Sequence, residues 1–150
     1  MKHDILSVLQ ERKATFSKGQ RLIAKYEMRK NESAENYLET IYILSKKLPV
    51  VRSVDIATEL NFKKPSVSVA MKHLREKELI VVSDAGFITL TDEGLAQAEA
   101  IYERHTILTK MFTMLGVSYE TAAEDACLIE HVLSDESFDA IKKHLQKNAL

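Results

Sequence analysis

The chain has 150 residues, 45% of them hydrophobic and 29% charged, with four glycines, two prolines and one cysteine. This suits a small globular protein with enough apolar material for a core, and it argues against long loops, all-β architecture and a disulfide scaffold. Net charge is only −1, but residues 61–77 hold Lys63, Lys64, Lys72, Arg75 and Lys77 against Glu76 alone, whereas residues 117–139 hold seven acidic side chains and no Lys or Arg.

Residues 1–33 read as a mildly basic helical extension, with Ile5, Leu6 and Leu9, then Leu22, Ile23 and Tyr26, at helical spacing around Gly19. Its first residues lack the apolar stretch of a secretory signal, and no run approaches the ~18 apolar residues of a membrane span. A cytoplasmic location with no membrane partner is therefore expected. Ser33 is placed to cap a helix reaching Lys47, with Tyr37, Leu38, Ile41, Tyr42 and Leu44 as its stripe and Pro49 beyond its end.

Ser53 is expected to cap a short helix through Leu60, and Asn61-Phe62 makes a tight connection. Pro65 then falls in the first turn of another helix, where its missing N–H costs nothing. Val67, Ala70, Met71 and Leu74 form that helix's inner face. Two β-prone runs, Ile80 to Val82 and Phe87 to Leu90, flank Ser83-Asp84-Ala85-Gly86, a hairpin signal. Thr91 caps a long helix reaching about Leu115, and Gly116 closes it. Ser118 opens the next helix, expected to run through Cys127 and His131, and Ser134 opens the last, to about Lys147.

Two short helices joined by a tight turn and followed by a two-stranded hairpin describe a winged helix-turn-helix. The fold expected is mainly α: a winged helix-turn-helix domain over 34–93 and an all-helical dimerisation domain over 94–150. The second helix of the motif begins with small polar residues, which allow close approach to base edges and phosphates. Lys63, Lys64, Pro65, Ser66, Ser68 and Lys72 are the candidate DNA-binding residues, the lysines supplying the salt-dependent part of affinity.

In the acidic half, Cys127, Glu130 and His131 stand at i, i+3 and i+4, hence on one face of a helix. Thiolate, carboxylate and imidazole together suit Fe(II), Co(II), Ni(II) or Zn(II). His105 on the preceding helix and Glu39 on the helix before the DNA-binding motif could complete the coordination. An enzyme would need Cys127 as nucleophile and His131 as base, but no oxyanion donors or glycine-rich loop accompany them, so the reading is not an enzyme.

The order of these elements resembles the diphtheria-toxin-repressor family, which includes the manganese-transport regulators. The resemblance rests on ENYLETIYIL (35–44), the Pro65-Ser66-Val67-Ser68 helix start, LTDEG (90–94), YERH (102–105) and ACLIEHVLSDE (126–136), and it covers roughly residues 33–146. It implies a dimeric, metal-activated repressor of iron or manganese homeostasis genes, with Fe(II) or Mn(II) as cofactor and a palindromic double-stranded DNA operator. By that resemblance Cys127, Glu130 and His131 match ligands of the iron-responsive branch, His105 matches both branches, and Glu39 matches the manganese branch. Asn36 stands where one branch has Met and the other Asp. Thr109 and Ala123 replace ancillary ligands, and the chain stops before the SH3-like domain of the iron branch. Val69 replaces a polar residue that approaches the bases. The rival reading is a metal-independent winged-helix dimer that senses a small organic ligand or uses Cys127 as a redox switch.

Overall fold

The computed structural model describes residues 34–148. The expected extension over 1–33, including the Gly19 break and the Ser33 cap, lies outside the described residues. The first helix, α1, covers residues 34–47 and buries Tyr37, Leu38, Ile41 and Leu44 of the expected stripe, with Tyr42 half-buried against the core. It is followed by α2 (Ser53–Leu60), α3 (Lys64–Glu76), β1 (Ile80–Val82), β2 (Ile88–Leu90), α4 (Asp92–Met114), α5 (Tyr119–Ile129) and α6 (Asp135–Lys147).

Side-chain chemistry at the helix ends accounts for most of these boundaries. Thr91, Ser118 and Ser134 each cap the following helix by accepting a backbone N–H, from Gly94, Thr121 and Ser137 respectively. At the far end of α4, Gly116 (φ 95°) takes the left-handed conformation. Its N–H bonds the Thr113 carbonyl and that of Val117 bonds Phe112, the paired bonds of a Schellman motif. Ser53 departs from expectation: it is the first helical residue, and Arg52 holds the cap position. The Asp55 carboxylate accepts the Arg52 N–H at 2.8 Å, the half of a capping box in which the residue three positions on bonds back to the cap.

The two strands pair antiparallel with Ile80 opposite Leu90 and Val82 opposite Ile88. The turn is closed by Ser83 and Gly86, whose φ of 79° suits glycine. Val51 adds a one-residue bridge to Ile88, whose N–H it binds through its carbonyl at 2.8 Å, so the wing is pinned to the segment between α1 and α2. Sequence alone did not point to this bridge.

The principal core is built from α1, α2, α3 and the wing: Leu38, Ile41, Ile56, Val67, Met71, Leu74, Ile80 and Ile88 are all nearly inaccessible. Ala98 on α4 belongs to the same core. Gly94, one turn earlier, lies so close to the chain that a Cβ there would stand 2.0 Å from the Leu79 carbonyl oxygen. The first turns of α4 are thus packed on the winged half, while its later turns bury Ile101 and Leu108 in the helical half with Ala122 and Ala126 of α5 and Phe138 of α6. One continuous helix spans both halves. Among the described residues no helix is long and apolar enough to cross a membrane.

Candidate metal centre and DNA-reading helix

Three segments converge beside α1. That helix brings Glu35, Asn36 and Glu39, α4 brings Arg104 and His105, and the end of α5 brings Cys127, Glu130 and His131. The expected continuation of α5 through His131 is corrected by the structure: the helix ends at Ile129, and Glu130 and His131 lie in the turn that follows. A side chain that sequence reasoning missed holds this turn. The Arg104 guanidinium donates to the carbonyls of Glu130 (3.1 Å) and Leu133 (2.7 Å) and pairs with the Asp135 carboxylate. It thereby satisfies carbonyls released as the chain turns toward the Ser134 cap. Its position in YERH, next to a candidate ligand, was the available signal.

The turn has a chemical consequence. Donor atoms of His105, Cys127 and Glu130 all lie within 4.8 Å of one another. His105 Nδ1 is 2.9 Å from Glu130 Oε2. His131 faces another set of partners, with Nδ1 2.6 Å from Glu35 Oε2 and Nε2 2.8 Å from Asn36 Oδ1. The five candidate ligands therefore share one neighbourhood but not one cluster: Glu130 stands at the centre, with His105 and Cys127 on one side and His131 on the other. Glu35 was not singled out from the sequence, because its partner His131 is 96 positions away.

Glu130 is fully buried. Its Oε1 lies 3.3 Å from His131 Nε2, yet lacks the alignment of a hydrogen bond and has no other partner. Burial works to raise the Glu130 pKa, but its contacts with His105 and His131 hold the carboxyl below the usual carboxylate range. Glu39, also buried, is pushed up to about 7, first by burial and then by the charge of Glu130. Hydrogen bonds to Cys127 and Glu130 push His105 up to about 10. Burial opposes protonation of His131, but the adjacent Glu130 carboxylate and the hydrogen bond to Glu35 outweigh it and raise that imidazole to about 10 as well. The two imidazolium groups thus compensate a buried carboxylate that would otherwise be costly.

The donor set fits a divalent transition metal. One thiol, one imidazole and a buried carboxylate with an unused oxygen converge, and Glu39 adjoins that carboxylate. Thr109 is buried with its hydroxyl unpartnered and Ala123 is half-buried, so neither adds a strong donor at the positions of the ancillary ligands.

The DNA-reading candidates are arranged differently. Lys63, Lys64, Pro65, Ser66, Ser68 and Lys72 are all exposed about the start of α3, whose opposite face is buried through Val67, Met71 and Leu74. Asn61, left-handed with φ 52°, makes the sharp exit from α2 that sets the angle of α3. Val69, also exposed, shares the outward face. His73 and His144 are exposed, as surface residues.

A winged helix-turn-helix joined by one long helix to a helical unit with a buried carboxylate, imidazole and thiol cluster defines a class: DNA-binding proteins whose reading head is coupled to a metal site. Family models agree. Residues 31–86 match the N-terminal DNA-binding domain of iron-dependent repressors, and residues 91–149 match their metal-binding and dimerisation domain. An uncharacterised helix-turn-helix-type transcriptional regulator of Methanocaldococcus jannaschii is 34% identical over 119 residues, covering 78% of this chain and 95% of the relative. The transcriptional regulator MntR of Escherichia coli is 34% identical over 122 residues, covering 81% of this chain and 79% of that protein. The solved manganese regulator SloR superposes with a TM-score of 0.67 at 26% identity, over 75% of this chain. This chain spans about half (53%) of the length of that solved protein. The chain belongs to the iron-dependent repressor family. It is a metal-dependent, DNA-binding transcriptional regulator with a divalent metal as cofactor.

Proposed function

We propose that the chain is a cytoplasmic homodimeric repressor of iron or manganese homeostasis genes. In this reading residues 34–93 bind a palindromic operator, and residues 94–150 supply the dimer interface and most metal ligands. His105, Cys127, Glu130 and Glu39 would hold the ion, with His131 beside them. The single observation that carries the reading is Glu130, which is fully buried with an unused oxygen and adjoins ligand candidates from α1, α4 and α5 at once.

When bound, the metal supplies a Lewis-acidic cross-link between donors on different helices. The chain's own residues decide what that cross-link does. Glu39 and the DNA-reading apparatus share one core through α1, whereas His105, Cys127 and Glu130 belong to the helical half. Fixing Glu39 against Glu130 fixes the winged half relative to the dimer interface, and hence the spacing of two α3 helices across successive turns of the major groove. If these residues held an ion about 100-fold better in this arrangement than in an open one, the balance between the two would shift by about 2.7 kcal/mol. His131 already ties α1 to the turn after α5 through Glu35 and Asn36. This clasp supports a partly organised geometry before metal arrives.

The chain acts by binding rather than catalysis in this reading. Both ring nitrogens of His131 have partners other than Cys127, which removes the base from the nucleophile–base pair that the sequence suggests. The test is operator binding with Mn(II), Fe(II), Zn(II) or no metal, alongside sedimentation. Metal-stimulated binding by a dimer is expected. Binding indifferent to chelators but abolished by peroxide would favour the redox alternative.

A further inference from the structure

Val69 is 56% exposed on a helix whose other side is buried. Helix α3 buries Val67, Met71 and Leu74. At about 100° per residue, Val69 falls opposite that buried face, with Pro65 one turn before it and Lys72 close to one turn after it. Ser66 and Ser68 flank it, and all four neighbours are exposed. It therefore occupies the centre of the surface that α3 offers to a groove.

An isopropyl group there has no hydrogen-bonding capacity, so phosphates and the polar atoms of base edges give it nothing. With only exposed Pro65 as an apolar neighbour on the helix and serines and a lysine around it, it is a small apolar spot rather than the core of a protein-binding patch. On the major-groove edge of the base pairs one group matches it, the thymine 5-methyl. We propose that Val69 reads a thymine in each half-site by packing its methyl groups against that 5-methyl, which makes it a specificity-determining residue. The inference rests on the proposed placement of α3 in the major groove.

The experiment uses the full chain with whichever of Mn(II), Fe(II) or Zn(II) gives the tightest binding. Duplexes selected from a random pool define the enriched thymines, and each is then replaced singly by deoxyuridine, which removes only the methyl. At one thymine per half-site, the replacement is expected to weaken wild-type binding about fourfold, since one buried methyl contributes about 0.8 kcal/mol and 1.4 kcal/mol is tenfold. Val69→Ala, at an exposed position that leaves the core intact, should bind the thymine and uracil duplexes alike there. Val69→Gln, which offers a bidentate amide, should shift selection at that position toward adenine. Equal sensitivity of wild type and Val69→Ala at every thymine, or no enriched thymine at all, overturns the proposal. Lys72→Ala separates the two levels of inference. If it weakens binding and flattens the salt dependence while Val69 shows no coupling to a methyl, only the thymine reading fails. If it leaves binding and salt dependence unchanged, the groove placement of α3 fails and the thymine reading with it.

Discussion

Cys127 sits within a cluster whose other donors are an imidazole and a carboxylate, and its thiol contacts His105. Sulfur ligation favours later, softer divalent ions, whereas Mn(II) prefers oxygen-rich sites. Cys127→Ala should therefore weaken activation by Fe(II) or Co(II), and Cys127→Glu should move selectivity toward Mn(II). Co(II) titration reads this directly, because thiolate ligation gives an intense near-ultraviolet charge-transfer band that both variants must lose. A wild-type complex without that band, together with unchanged metal-dependent DNA binding in Cys127→Ala, would reduce Cys127 to an ordinary surface residue. Arg104 acts on the same site from behind. It organises the turn that carries Glu130 and His131 by holding two of its carbonyls, as outer partners of metal ligands commonly do.

At the scale of elements, α3 and the wing carry separate predictions. Lys63, Lys64 and Lys72 are exposed around the outward face of α3. Replacing all three by alanine should weaken binding broadly across sequences. The slope of log K against log salt should become shallower by about 0.9 for every phosphate that is no longer neutralised. An unchanged slope would show that these lysines do not meet the backbone. The wing rests on a different contact. Gly94 leaves no room for a Cβ beside the Leu79 carbonyl, which also accepts the Thr91 N–H at 3.1 Å. Gly94→Ala should therefore destabilise the protein by about 1–3 kcal/mol, the usual cost of overpacking against rigid neighbours. Thermal unfolding measures it, and a variant as stable as wild type would mean that α4 can shift away from the wing.

Across the whole molecule, the ion pairs of His105 and His131 predict how the metal-free protein responds to pH. His105 and His131 are held up to about 10 in the fold, against an ordinary value near 6.5. The folded chain thus binds more protons than the unfolded chain between those values. The stability this contributes is fully present below pH ~6.5 and is lost as pH rises toward 10. Glu39, raised to about 7, has the same sign at lower pH: its contribution fades as pH rises from about 4.5 to 7. With a chelator present, unfolding temperature should fall between pH 7 and 9.5, and Glu35→Gln should flatten that fall by removing a carboxylate from His131. A flat profile in the wild type would contradict protonated imidazoles in the fold. On the proposed ligation by His105, metal would compete with its proton, so adding metal should restore stability more effectively at the alkaline end.

What the sequence determined by itself was local. The caps at Thr91, Ser118 and Ser134, the Gly116 terminus and the apolar stripes of α1 and α3 all depend on residues within a few positions of one another. Backbone hydrogen bonding and helical periodicity act over that range, so residue spacing carries the information. The motif segments likewise named the metal-competent residues. Tertiary structure decided how those residues are shared out. A continuing helix would have put Cys127, Glu130 and His131 on one face, but the helix ends at Ile129, Arg104 bonds the turn beyond it, and His131 finds Glu35 and Asn36 some 95 positions away. The Val51 bridge to the wing and the tight fit of Gly94 belong to the same category. Each depends on surfaces that meet only after the chain has folded, where burial makes an unpaired carboxylate or a misplaced methyl costly, and no spacing along the chain records which surfaces those are.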